Sequence, residues 1–380
     1  MINSKRLGQT FTKLAQIDSI SRHEAGIARE LEQILKSLGA SICFDDAGEK
    51  VGGDCSNLVA KFKGNRKVPP MFLSGHMDTV EPGNGVKVVF EEGVFRSDGT
   101  TILGADDKSA LAIILEVLEV IKENDLPSPP LEIIFTVCEE IGLMGAKHFD
   151  HSLMDSKFGY ILDSTDTEGI VTKAPAANKI SATVYGRAAH AGASPEKGVS
   201  AIFAASRAIA GMTLGRIDPE TTCNLGTICG GMATNIVPEQ VEIHGEARSH
   251  SPSMLERVTR DIVNGFEDAA RELRGDDEFP RVEVRVENDF PNTDIPEDHI
   301  AVKLARKASA NLGRDLESKT TGGGADANIF FGKGIVAGVL GTGMTDVHTL
   351  QESIRLEDMV NSANLILEII KLHASGVSLG

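Results

Sequence analysis

Hydrophobic positions along the chain change their period several times, and each change marks an element. In "AGIARELEQILKSL", residues 25–38, apolar side chains recur at three- and four-residue spacing and stop at Gly39, which predicts a surface helix. Ser21 with Glu24 three residues on has the pattern of a capping box in front of it. Short apolar runs follow, "MFLSGH", "LEIIFTVCEE" and "FGYILDS", separated by "KSALAIILEVLEVIKE", whose Leu and Ile faces suit packing on a sheet. This alternation predicts an α/β domain with a mixed, largely parallel sheet. In such sheets ligands bind beyond the carboxyl ends of the strands, and the three runs end in His76, in Glu139 with Glu140, and in Asp163.

The pattern changes near Pro175. From there the order is strand ("ANKISATVYGR"), helix (196–211), strand ("CNLGTICGG"), strand ("QVEIHGEARS"), helix ("SMLERVTRDIVNGFEDAARELR") and strand ("RVEVRVEN"). That βαββαβ succession is the split unit of an α+β ferredoxin-like sandwich. It predicts an inserted domain over 176–292 within a body made of 1–175 and 293–380, the latter containing the helix "HIAVKLARKASANLG".

Composition narrows the function classes. A chain of 380 residues with 41% hydrophobic and 24% charged residues is that of a soluble globular protein of about two domains. A formal net charge of -17 argues against nucleic acid and anionic membrane as partners, since both would repel it, and suits bound metal ions. The N-terminal stretch has no apolar region after its positive charges, and no segment reaches about 18 uninterrupted apolar residues, so a cytoplasmic location is expected. Five scattered cysteines (Cys43, Cys55, Cys138, Cys223, Cys229) without a CxxC indicate neither a disulfide framework nor a thiolate zinc site.

Candidate chemistry gathers at the strand ends. In "SGHMDTVEP", His76 and Asp78 are two residues apart and share a strand face, so one can bind a metal while the other orients it. Alone, an H-x-D is more often a loop hydrogen bond. In "DGTTILGADDKSA", Asp106 and Asp107 open a helix; an N-cap explains one carboxylate there but not two. Glu139 and Glu140 are like charges side by side at a strand end, which costs energy unless a cation neutralises one. With Asp163, and with His348 in "TDVHTL", they make a nitrogen and oxygen set that suits zinc, or cobalt or manganese.

His76-Met-Asp78, Gly-Ala-Asp106-Asp-Lys108, Glu139-Glu140, Asp163 and His348 occur in the order and context seen in the peptidase T branch of the dinuclear zinc aminoacylase and carboxypeptidase G superfamily, which the chain resembles over nearly its whole length. The resemblance implies two zinc ions, with His76 and Asp163 on one, Glu140 and His348 on the other, and Asp106 bridging. It implies that Asp78 orients His76 and that Glu139 is the general base, although spacing alone leaves the two glutamates interchangeable. Such a site activates a water and polarises a carbonyl, while a carboxylate outside the metal shell carries the proton.

In the inserted domain, His190 in "GRAAHAGASPEKG", Asn235 in "GGMATNIVPE" and Arg248 in "HGEARSH" resemble the family's lid residues. By that likeness His190 and Asn235 would steady the oxyanion, and Arg248 would clamp a substrate carboxylate through its planar fork. A solvated strand-end arginine is the bland alternative. In relatives the matching histidine often comes from a second subunit, so a homodimer through the lid is implied by resemblance only. In "TTGGGADANIF", Gly323 and Gly324 leave bare backbone that a substrate could approach.

Other patterns carry less. His148 and His151 in "HFDHS" have no third ligand nearby and read as helix surface; His244 and His250 read as surface or strand positions. The glycines of "GKGIVAGVLGTG" lack dinucleotide spacing. Cys138 reads as core packing, and it stands where relatives usually carry an acidic or amide residue, which leaves substrate class open. The expected activity is therefore hydrolysis of small peptides, by removal of the N-terminal residue from tripeptides. The alternatives are a deacylase or carboxypeptidase on N-acylated amino acids, and a non-catalytic metal-containing binding protein.

Overall fold

The computed structural model describes residues 1–274 and 277–376; the expected domain segments also run through 275–276 and 377–380, which lie outside the described residues. Contacts divide the chain into two units, Met1–Lys173 with Asp294–Thr320 and Ala325–Gly380, and Ala174–Thr293 with Thr321–Gly324.

The first unit is built on a mixed nine-stranded sheet. Its order runs Ser41–Phe44, Leu58–Phe62, Leu131–Thr136, Met71–His76, Phe158–Ser164, Val336–Gly341, Gly169–Ala174 and Thr293–Asp294, with Glu317–Thr320 also paired to Gly169–Ala174. Leu131–Thr136, Met71–His76 and Phe158–Ser164 are mutually parallel neighbours, His76 lying opposite Thr136 and Leu73 opposite Tyr160. Their carboxyl ends therefore open on one side of the sheet. Each is nearly continuous in apolar residues because both sheet faces are covered. Helix Ala105–Glu123 is buried on every side from Ala105 to Leu118. It packs on Met71–His76 and between helices Ser4–Ala15 and Leu356–Ala374. Phe72, Ile134, Phe149, Ile161 and Phe330 form a second core cluster.

A four-stranded antiparallel sheet, Met344–Thr345, Ser353–Arg355, Val94–Ser97 and Val88–Glu91, was not expected from the sequence. Its strands are two to four residues long, too short for a period to register.

The second unit carries a five-stranded antiparallel sheet in the order Gly215–Asp218, Thr221–Gly230, Gln240–Ser249, Ala176–Tyr185, Arg281–Phe290. Leaving aside Gly215–Asp218, strands and helices follow the expected βαββαβ succession. Helices Ala201–Ala210 and Pro252–Arg274 cover one face and close a core of Ile180, Ala182, Val184, Val241, Ile243 and Phe266. Two details differ from the sequence reading. Gly215–Asp218 adds a fifth strand, and the first helix begins at Ala201 because Ser200 caps it by accepting from Phe203 N–H, while Pro195–Lys197 is a separate 3-10 turn.

The capping box also fails. Ser21 Oγ donates to Asp78 Oδ2 at 2.6 Å, and Glu24 is itself the N-cap residue of Ala25–Leu38, its side chain turned inward and fully buried. Both groups satisfy tertiary partners in place of the helix end. His151 is no helix-surface residue either: its ring packs edge-on against Phe149 and Phe330.

Candidate metal centre

His76, Asp78, Asp106, Glu139, Glu140, Asp163 and His348 all belong to the first unit. His76 ends the strand Met71–His76 and is 2% exposed. Its Nδ1 lies 2.9 Å from the Asp78 carbonyl oxygen and 3.4 Å from Asp78 Oδ1. Its other ring nitrogen, Nε2, faces Asp106 Oδ1, 3.0 Å away.

The other Asp106 oxygen, Oδ2, lies 3.2 Å from His348 Nε2. One carboxylate thus presents its two oxygens to two different imidazoles. His348 Nε2 is also 3.0 Å from the Glu140 carboxylate. Among the described residues, His76, Asp106 and Glu140 form a group whose ligand atoms all lie within 4.8 Å of one another. Asp163, in Phe158–Ser164, is close enough for the charges of Asp106 and Glu140 to act on it.

Asp78 holds this arrangement from below. It is fully buried; Oδ1 accepts from Glu139 N–H at 2.9 Å, and Oδ2 accepts from Glu140 N–H at 3.2 Å and from Ser21 Oγ. A single side chain therefore fixes both His76 and the turn that bears the two glutamates. Glu24 supports the same turn by accepting from Cys138 N–H at 3.0 Å. Cys138 is itself buried, its Sγ 3.4 Å from Glu24 Oε1, which is core packing and no nucleophile's setting.

The crowding of acids and imidazoles shifts their titration. Burial pushes the Glu139 carboxyl well up, and Asp163, Asp326 and Glu140 add to that against the pull of His76. Burial and Asp106 push Asp163 up in the same way. Burial drags His76 down, but Asp106 and Asp78 outweigh it and hold the imidazole well above its ordinary range. Hydrogen bonds to Asp106 and Glu140 raise His348 to about 10. The imidazole and carboxylate donors, with no thiolate among them, fit zinc, cobalt or manganese.

Asp107 and Asp326 add to the acidic excess. Asp107 is fully buried; Oδ2 accepts from His76 N–H at 3.1 Å, and Oδ1 has no partner. Asp326 opens helix Asp326–Gly332, Oδ2 accepts from Thr136 Oγ1 at 2.6 Å, and Oδ1 is likewise unpaired. The sequence reading gave Asp326 no role. Its signal was an acid at the mouth of an apolar helix, two residues beyond the glycines that drew notice.

Burial raises Asp326 from 3.8 to about 6. In the metal-free protein the folded state then binds the extra proton between those values, so stability falls as pH rises through that window. Asp326→Asn keeps an oxygen for Thr136 and removes this loss. In the presence of chelator it is expected to gain on the order of 1–3 kcal/mol at pH 7 and to flatten the slope between about pH 4 and 6 in denaturant melts. An unchanged slope would show that Asp326 is ionised in both states.

The lid candidates fall into two groups within the second unit. His190 and Asn235 meet where Ala191 N–H donates to Asn235 O at 2.9 Å, and both side chains are exposed. This turn adjoins the Gln240 end of the strand Gln240–Ser249, where Gly186 N–H donates to Glu239 O. Arg248 lies at the other end, opposite Ala177, while Gln240 is opposite Tyr185. Eight residues of strand separate the two ends, roughly 26 Å. Arg248 Nη1 donates to Gly322 O at 3.4 Å, Nη2 pairs with Glu246 at 3.0 Å, and the guanidinium lies over the Phe290 ring.

Thr321–Gly324 belongs with this second unit by its contacts, although the sequence reading put it in the main body. The reason is Phe290: a Cβ on Gly324 would fall 2.5 Å from its ring. Gly323 N–H is held by Thr321 Oγ1 at 3.2 Å.

A family model described as peptidase family M20/M25/M40 matches residues 72–372. An uncharacterised protein of Bacillus subtilis, YqjE, is 43% identical to the chain over 98% of it and 99% of that protein. A peptidase T of Brevibacillus brevis is 24% identical over 91% of each. Among solved structures, a tripeptidase from Staphylococcus aureus superposes with a TM-score of 0.93 at 40% identity, covering 99% of this chain and 100% of that one. An aminopeptidase PepT from Bacillus cereus superposes with a TM-score of 0.89 at 39% identity, covering 98% and 99%.

Proposed function

The chain belongs to peptidase family M20/M25/M40, and from that premise we propose that it is a dinuclear metal-dependent aminopeptidase that removes the N-terminal residue of tripeptides. The observation that carries the reading is Asp106, whose two oxygens face His76 and His348 separately at 3.0 and 3.2 Å, the disposition of a bridging carboxylate. His76 and Asp163 would hold one ion and Glu140 and His348 the other. Zinc is the first choice for this donor set, with cobalt or manganese as substitutes. Ions held by these residues would supply carbonyl polarisation and a water of lowered pKa.

The protein supplies the rest. Glu140 faces His348, whereas Glu139 stands outside the tight ligand group, which favours Glu139 as the free base. Its carboxylate takes a proton from the attacking water and passes it to the departing amine nitrogen. The buried surroundings that raise its pKa suit a group that must hold that proton between the two steps. Asp78 keeps Glu139 in place through its backbone N–H and fixes the tautomer of His76.

The split between the lid candidates supports a homodimer. A tripeptide spans about 10 Å when extended. The roughly 26 Å between the two ends favours a substrate served by one protomer's Arg248 and its partner's His190 and Asn235. Arg248 is assigned the substrate carboxylate, His190 and Asn235 the oxyanion. No helix among the described residues is long and apolar enough to cross a membrane, and the five cysteines are free thiols.

The test is hydrolysis of a panel of tripeptides, dipeptides and N-acetyl amino acids with zinc, cobalt or manganese, against a chelator control. Chelator-sensitive release of N-terminal residues from tripeptides is expected. Cleavage of acylated amino acids alone would replace the reading with a deacylase, and metal binding without any cleavage would make the protein a binder.

A further inference from the structure

We propose that Glu352 is a positioning residue that clamps Asp106 from the backbone side and so sets the spacing between Asp106 and His348; this rests on the reading of those two residues as metal ligands. Glu352 is 2% exposed and lies where helix Ala105–Glu123 begins. Its Oε2 accepts from Leu103 N–H and Gly104 N–H, both at 2.8 Å, and its Oε1 accepts from Asp106 N–H at 2.9 Å. Three backbone donors converge on one carboxylate from nearly 250 positions away in the chain.

The stretch that leads into that helix is irregular, with Asp106 (φ -81, ψ 103) and Asp107 (φ -121, ψ 26) outside the helical region. The N-cap residue is Gly104, at φ 75, in the left-handed region that favours glycine. A glycine has no side chain to accept the first free N–H groups of a helix. Glu352 supplies from outside the acceptor for the Leu103, Gly104 and Asp106 N–H groups of this irregular stretch.

The same segment carries His348. Between the two, Thr349 Oγ1 donates to Asp346 O at 2.7 Å and accepts from Gln351 N–H at 3.1 Å, and Glu352 N–H donates to Thr349 O at 3.2 Å. The segment is thus a short, internally bonded turn that touches Asp106 at two points. His348 meets its carboxylate at 3.2 Å, and Glu352 meets its backbone. Among the described residues, Glu352 is what ties the backbone N–H of Asp106 to the turn that holds His348.

Glu352→Gln tests this. The glutamine has similar volume, but its amide nitrogen cannot accept, so either Asp106 N–H or the Leu103 and Gly104 pair faces another donor. Zinc titration of the chelator-treated protein is expected to show affinity weakened roughly 10–100-fold. Activity on a tripeptide is expected to recover toward the wild-type kcat as zinc is raised, because the ligands themselves remain. Combining Glu352→Gln with His348→Ala should cost less than the sum of the two single losses in zinc affinity, since both act on Asp106.

Thr349→Ala, at an exposed position, loosens the same turn and should weaken zinc in the same direction by a smaller factor; it serves if the Gln variant does not fold. Wild-type affinity in Glu352→Gln, or a lowered melting temperature of the metal-free protein with unchanged zinc affinity, would reduce Glu352 to a structural cap and overturn the proposal, as would strict additivity with His348→Ala. A wild-type protein that binds no divalent ion at all would instead sink the metal reading on which the proposal rests.

Discussion

Glu139→Gln is expected to lower turnover of a tripeptide roughly 10²–10⁴-fold while the protein keeps its full complement of metal. The substitution preserves shape and the backbone N–H bond to Asp78 Oδ1 at 2.9 Å, so the turn should stay in place. What it removes is the only function assigned to this side chain, the acceptance and return of a proton. Retention of metal is expected because the carboxylate that faces His348, at 3.0 Å, belongs to Glu140. The two quantities are read separately, kcat by product release and metal by elemental analysis after gel filtration. Loss of metal with loss of activity would exchange the roles of the two glutamates, and retained turnover would remove Glu139 from the chemistry.

Asp106→Asn should have the larger effect on metal. The carboxylate has two equivalent oxygens at 3.0 and 3.2 Å from the two imidazoles, and an asparagine has one, with an N–H donor aimed at the other ring. Both ions depend on this residue if it bridges. Affinity is expected to fall roughly 100-fold or more, past the 10–100-fold typical of groups that only support a ligand. Titration calorimetry of the chelator-treated protein would show it. A variant that loses one ion and binds the other as tightly as before would mean that Asp106 serves a single metal.

The sequence by itself determined the class of the fold and the neighbourhood of the chemistry. Apolar runs ending in His76 and Asp163, and the run leading to Glu139, predict parallel strands with a site beyond their carboxyl ends. That much follows from period and polarity, because a strand buried on both faces must be apolar until it reaches the crevice. The helix after Asp106 was legible for the same reason, although its burial on every side was not, since an all-apolar face and an amphipathic one differ only in what surrounds them.

Tertiary structure alone decided how these groups are held. Ser21 and Glu24 match a capping box, yet Ser21 is drawn to Asp78 at 2.6 Å and Glu24 to Cys138 N–H at 3.0 Å. A local motif loses when a buried carboxylate or a buried backbone N–H offers a better partner. Asp326 shows in the sequence only as an acid at the mouth of an apolar helix and Glu352 shows no pattern; one is significant because it is buried beside Thr136, the other because it reaches backbone groups across the chain. The meeting of His190 with Asn235 was equally invisible, because it depends on which backbone groups pair across the unit, Ala191 N–H donating to Asn235 O. Residue types and spacing specify which groups are available for chemistry, whereas long-range hydrogen bonding determines which of them meet.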